Sequence, residues 1–192
     1  SASECILRLP AWRWRAGDRL FWTPPHAYGD YAHAAQAWGL ARVNAPGLAQ
    51  LAWLCDPGSP LGQGESPDAL KVLLDEQPRT VVLDRAYAPL RLRGDSALSD
   101  AQLDRVWQLW SPNKALGLTG VRAAYAIAPQ GAHADVAALE ALSSSWPIGA
   151  HGEAMLMAWT TTEVQDWVAG SRATLAGWTQ ALRATLARHG WT

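Results

Sequence analysis

Lys114 is one of only two lysines in a chain of 192 residues. Ser111 stands three positions before it and Arg122 eight positions after it, with Gly117 and Gly120 between. An amine that is to attack a carbonyl must spend part of its time unprotonated, and a low-dielectric cleft favours that state. The neighbours Trp110, Pro112, Ala115 and Leu116 are apolar or small, as such a cleft requires. A hydroxyl and a guanidinium flanking the lysine suit a phosphate, since arginine offers fixed, paired donors. Glycines in the intervening run let backbone approach a ligand closely. Upstream, Asp84 and Tyr87 lie three apart in DRAY. A carboxylate there is placed to pair with a protonated ring nitrogen, and a phenol to donate to a ring oxygen. Taken singly, each residue has a plain structural reading. Lys114 would be a solvated lysine, Arg122 a surface arginine and Asp84 a turn former. Their combination points to chemistry. Lys71, the other lysine, has Asp75 at i+4 on an amphipathic helix and reads as solvated.

The elements that must position these groups follow from the hydrophobic pattern. Residues 1–9 read as a short polar loop entering an apolar helix, with Ser1 or Ser3 as cap and Glu4 in the first turn. Pro10 is expected to interrupt that helix. Strands are predicted at 18–23, 40–43, 51–55, 81–83, 106–110 and 123–128. Helices are predicted at 30–39, 66–76 (capped by Ser66), 98–104 (started by Ser96 or Ser99) and 134–143, with a weak helical piece at 46–51. A long amphipathic helix is predicted at 163–189, with an apolar stripe of Val164, Trp167 or Val168, Leu175, Trp178, Leu182 and Leu186. Gly190 would end it. Short apolar strands alternating with helices predict an α/β domain with a mostly parallel central sheet flanked by helices. In such sheets ligands sit at the C-terminal ends of the strands. Ser59, Asp84, and the pair Ser111 and Lys114 follow three successive strands there.

The composition narrows the function classes. The chain is 49% hydrophobic and 17% charged with a formal net charge of -1, so it has no electrostatic footprint for nucleic acid. No apolar run is long enough for a membrane span and no signal peptide is legible. Cys5 and Cys55 read as reduced cytoplasmic thiols. The five histidines, His26, His33, His133, His151 and His189, lack ligand spacing, and no metal site is expected. The twelve tryptophans read as core or subunit interface.

Four segments together carry a family resemblance. SPNKALGLTGVRAAY resembles the lysine motif of class I/II aminotransferases of fold type I, which depend on pyridoxal 5'-phosphate (PLP). VVLDRAYAPL resembles that family's strand ending in Asp-Glu-Ala-Tyr. CDPGSPLG resembles its Asn-Pro-Asn-Asn-Pro-Thr-Gly turn, and SASEC its Gly-Ser-Ser-Glu-Ala loop. The segments occur in the family's order and at its usual spacing, across the whole chain.

The resemblance implies the PLP-dependent transferase large domain, truncated at both ends. Residues 1–160 would be the PLP-binding domain without its N-terminal portion. Residues 161–192 would be a long helix leading into a mostly missing small domain, which normally supplies the arginine for the substrate carboxylate. Lys114 would form the Schiff base and shuttle the proton. Asp84 would hold the pyridine nitrogen charged, and Tyr87 would bond the ring's 3-oxygen. Ser111 and Arg122 would bind the phosphate with the backbone and hydroxyl of Ala2 and Ser3 at a helix N-terminus. Tyr28, in PPHAYGDY, would line the substrate pocket. Ser59 stands where the family usually has an asparagine touching the 3-oxygen. Arg85 replaces a glutamate, and Pro112 and Asn113 depart from the residues usual before the lysine.

The implied activity is amino transfer on an amino acid or amino-acid phosphate, a small-molecule substrate, in a cytoplasmic homodimer. Two branches fit best, those of histidinol-phosphate aminotransferase and of threonine-phosphate decarboxylase in cobalamin biosynthesis. Trp146, Pro147 and Gly152 echo a segment of the second branch, so a decarboxylating lyase is the alternative. A non-catalytic PLP-binding sensor domain is a further one.

Overall fold

The computed structural model describes residues 1–62, 67–75 and 80–191. The predicted cap Ser66 lies outside them. Six strands form one sheet: β1 (Leu20–Trp22), β2 (Ala41–Arg42), β3 (Leu51–Cys55), β4 (Thr80–Asp84), β5 (Trp107–Trp110) and β6 (Tyr125–Ile127). Their order is β2-β1-β3-β4-β5-β6. All neighbours run parallel except β5 and β6.

Every residue of β3 and β4 is buried, because helices cover both faces of a parallel sheet. Side chains alternate between two cores. Phe21, Leu51, Trp53, Val82 and Leu109 pack with Ile6, Leu9 and Trp12 of α1 (Ala2–Arg15) and Tyr31 and Ala35 of α2 (Gly29–Ala37). Trp22, Ala52, Leu54, Val81 and Leu83 pack with Leu70, Leu73 and Leu74 of α3 (Pro67–Asp75). The alternation has a consequence for the site. Cys55 and Asp84, paired in register at the strand ends, fall on the face that α1 and α2 cover.

Pro10 does not stop the first helix, which runs through it to Arg15. Proline removes one intrahelical bond, a cost of about 3 kcal/mol. Burial of Ile6, Leu9, Pro10 and Trp12 along one side holds the helix together across that gap. Its N-cap is Ser1, whose Oγ accepts from the Glu4 N–H at 3.4 Å. Ser99, not Ser96, caps α4 (Asp100–Leu103) in a reciprocal box with Gln102. A single 3-10 turn at Pro46–Leu48 stands in place of the weak helical piece.

Beyond the sheet come α5 (His133–Glu140), α6 (Ala150–Trp159) and α7 (Thr162–Arg188). The sequence reading has no element where α6 forms. In α7 the apolar stripe is not a core stripe: only Val168 is buried, while Trp167, Trp178, Leu182 and Leu186 are exposed. The main contacts of the helix are with α6 and with the turn at Ala88–Leu90, and most of its stripe stays bare. Among the described residues, no helix is long and apolar enough to cross a membrane.

Candidate active site

Strand ends build the site, and the chain order explains how. β4 ends on Asp84, where the backbone leaves the sheet. Its Oδ1 accepts from the Ala86 N–H at 2.9 Å. Its Oδ2 accepts from the Tyr31 hydroxyl at 2.6 Å. Asp84 is only 6% exposed, and burial pushes its carboxyl above the ordinary range. The Tyr31 and Ala86 bonds and the charge of Lys114 pull it back without cancelling that effect. Tyr31 lies flat on Trp53, with ring centroids 4.5 Å apart and planes 3° from parallel. Burial, then the charge of Asp84, raises its hydroxyl well above the usual phenol value. Beside them burial, then Asp84, pushes the Cys55 thiol up to about 12.

β5 delivers the lysine. After Trp110 the chain folds into a tight loop braced by Asn113, which is buried. The Ser111 hydroxyl donates to Asn113 Oδ1 at 2.8 Å, and Asn113 Nδ2 donates to the Val121 carbonyl at 3.2 Å. The Leu118 N–H closes the loop on the Asn113 carbonyl at 2.8 Å. Gly117 takes a φ of +66°, the left-handed turn that glycine adopts without strain. Half-buried Lys114 donates from Nζ to Ser111 Oγ at 3.5 Å. Asn113 therefore ties the lysine end of the loop to the residue just before Arg122.

Arg122 in turn donates from Nη2 to Ser3 Oγ at 3.0 Å. Ser3 and Ala2 occupy the first turn of α1, where backbone N–H groups have no partner within the helix. Guanidinium, hydroxyl and helix N-terminus thus gather at one place, which is a ready anion site. Tyr28 stands at the edge, its ring 5.6 Å from that of Tyr31 in an edge-to-face contact. Its hydroxyl donates to Asp30 Oδ2 at 2.7 Å.

A single cavity of about 240 Å³ collects these groups. All nine residues singled out from the sequence line it: Ala2, Ser3, Tyr28, Ser59, Asp84, Tyr87, Ser111, Lys114 and Arg122. The sequence reading missed Tyr31, Cys55 and Asn113 as site residues, yet they line it too. The alternation of β3 and the spacing of Tyr31 after Tyr28 were the available signals for the first two. A larger, open groove of about 690 Å³ adjoins at Ser59 and Tyr87. No lysine or carboxylate lies among its described lining residues, whereas Lys114 and Asp84 line the smaller cavity.

The donor set fits PLP. The cavity offers an amine, a phosphate-type anion site and a buried carboxylate. No ion pair to Asp84 occurs among the described residues. Two neutral donors and the more distant charge of Lys114 offset its burial, and a protonated ring nitrogen would supply a directly paired cation.

Fold and site together define a PLP-type α/β large domain, and comparison with known proteins agrees. Residues 41–192 match the family of aminotransferase class I and II. The chain belongs to that family. Histidinol-phosphate aminotransferase of Staphylococcus saprophyticus is 33% identical over 146 residues, covering 65% of this chain and 41% of that protein. The chain thus spans less than half the length of that relative. A Thermus thermophilus aspartate aminotransferase variant superposes with a TM-score of 0.81 over 99% of this chain and 59% of its own, at 18% identity. L-threonine-O-3-phosphate decarboxylase of Porphyromonas gingivalis gives 0.61 over 79% and 49%, also at 18% identity.

Proposed function

We propose that this chain forms the cofactor-binding part of a PLP-dependent aminotransferase that acts on an amino acid or amino-acid phosphate. The observation that carries the reading is the meeting of Lys114, Asp84 and Arg122 in one cavity from separate stretches of chain. Residues 1–160 are read as the PLP-binding domain and 161–192 as the helix leading toward a smaller one.

PLP, when bound, supplies an electron sink that weakens the bonds at a substrate's α-carbon. The Lys114 amine would hold the cofactor and would carry the proton at the α-carbon. Asp84 would keep the ring nitrogen protonated. Tyr87 and Ser59 would bond the ring's 3-oxygen, Ser59 reaching less far than an asparagine. Arg122, Ser111 and the N–H groups of Ala2 and Ser3 would hold the phosphate. In the structure Ser111 already donates its one hydroxyl proton to Asn113, so it must turn to donate to phosphate. Tyr28 borders the substrate side. The reading includes a cytoplasmic homodimer. Exposed Trp146, Trp167 and Trp178 support a covered surface there.

A decarboxylase of threonine-phosphate type is the second reading, favoured by Trp146 and Pro147 before α6 and Gly152 in its first turn. One protocol tests both. The protein is incubated with PLP, reduced with borohydride and digested, and the modified peptide is mapped by mass. Pyridoxyl on Lys114 is the expected result. Product analysis with phosphothreonine then separates loss of the amino group from loss of carbon dioxide. Bound cofactor without turnover would indicate a sensor. Label absent from Lys114 in a chain that is folded overturns the assignment.

A further inference from the structure

Tyr31 belongs to the helix that covers the sheet, and its pattern in the sequence is that of a core residue. It is 1% exposed. A buried tyrosine hydroxyl normally finds whichever acceptor is close. Here the acceptor is the Oδ2 of Asp84, 53 positions away, at 2.6 Å. The ring is clamped on its face by Trp53 and at its edge by Tyr28, so the hydroxyl has little freedom to point elsewhere. The Ala86 N–H takes the other carboxylate oxygen. Together these two donors fix the plane of the carboxylate.

We propose that Tyr31 is a positioning residue that acts through Asp84. It holds the carboxylate ionised and in one orientation, ready for the cofactor's ring nitrogen. This rests on the PLP reading given above. The physical reason is a conflict between burial and charge. Burial disfavours the carboxylate, whereas a hydrogen bond donated to an anion favours it. The Ala86 N–H belongs to the backbone and is present whatever the side chain. Tyr31 is the side chain that the sequence adds for this purpose. Other groups feel or contribute to the same charge. They are Cys5 on α1, Tyr28 at the start of α2, Cys55 at the end of β3 and Lys114 after β5. The side chain hydrogen-bonded to the carboxylate is that of Tyr31, whose hydroxyl also meets the Cys55 thiol.

The test is a binding cycle read by cofactor absorption, not by turnover. Tyr31→Phe keeps the ring on Trp53 and removes only the donor. PLP binding is measured as a function of pH for wild type, Tyr31→Phe, Asp84→Asn and the double variant. Tyr31→Phe is expected to bind PLP roughly tenfold more weakly at neutral pH. The pH at which binding fails on acidification should move upward, because the carboxylate has lost a donor that favours its charged form. In the Asp84→Asn background the same change should add no further loss. A second probe is the PLP analogue in which a C–H replaces the ring nitrogen. With it, Tyr31→Phe should bind as wild type does. An equal penalty with both cofactors, or additive losses in the double variant, would mean that Tyr31 serves packing alone. That result would overturn the inference and leave the PLP reading standing. If wild type binds no PLP at all, both fall.

Discussion

Arg122 and Ser3 are 119 positions apart in the chain and meet at 3.0 Å. The contact joins the loop after β5 to the N-terminal turn of α1, so it closes the anion end of the cavity. Arg122→Gln should therefore weaken PLP binding by roughly 10–100-fold, the range for losing charge-assisted hydrogen bonds. Pyridoxal, which has the ring and aldehyde but no phosphate, should bind this variant almost as well as wild type. Parallel absorbance titrations with the two ligands check this. Equal loss for both would place the arginine elsewhere in the chemistry.

Asp84 should be a stability liability in the cofactor-free chain. Its folded carboxyl titrates above the ordinary 3.8, so the folded state holds the proton more tightly than the unfolded state does. The stabilisation is present below pH 3.8 and is lost as pH rises through the raised folded value. At neutral pH, Asp84→Asn removes the buried charge and keeps a partner for the Tyr31 hydroxyl. Thermal melts of the cofactor-free protein should show a midpoint about 2–4 °C higher, the shift that ~1 kcal/mol gives in a chain of this size. The gain should fade toward acid pH. A variant less stable at every pH would contradict it. The same substitution should impair cofactor binding, a trade of function against stability.

Gly152 of α6 packs against the segment that joins Arg122 to β6. A Cβ there would lie 2.9 Å from the Ala123 Cβ and 3.7 Å from the Arg122 carbonyl. Both neighbours sit on short, stiff attachments, so the helix itself must shift. Gly152→Ala should destabilise by about 1–3 kcal/mol, the usual cost of overpacking. It should also disturb Arg122 and weaken PLP binding. Denaturant unfolding gives the first quantity. An unchanged midpoint would show that α6 can move without cost.

The two thiols should be inert in the folded protein. Burial, chiefly, pushes Cys5 up to about 11 and Cys55 up to about 12. At pH 8 the reactive thiolate is then roughly one part in a thousand or fewer for each. Iodoacetamide should label neither at that pH until denaturant is added. In Asp84→Asn, Cys55 should react faster, because the carboxylate charge is its second cause of elevation. Rapid labelling of the native chain at Cys55 would mean that the cavity is more open than its geometry implies.

Much of this molecule is legible in local pattern. The run Leu51–Cys55 is apolar throughout and forms β3 at those bounds. Asp84 ends β4, because a charged residue closing a buried strand marks where the chain leaves the sheet. The residue types around Lys114 already mark a candidate site, and the structure gathers amine, carboxylate and guanidinium in one cavity. Family likeness in the lysine, Asp-Arg-Ala-Tyr and turn segments adds order and spacing.

Other features depend on contacts that no local window contains. Pro10 breaks helices by its own chemistry, and only the packing of Ile6, Leu9 and Trp12 against the sheet carries α1 through it. The stripe on α7 has the periodicity of a core face, yet whether it is covered depends on what lies opposite, and most of it stays bare. Tyr31 reads as core from its spacing, while its bond to Asp84 exists because α2 lies across the end of β4. Residue type and periodicity act over a few positions, so the chain itself specifies its strands, its turns and its reactive groups. Which of those groups share a cavity, and which apolar faces stay bare, is set by how distant segments pack, and that is decided only once the sheet is assembled.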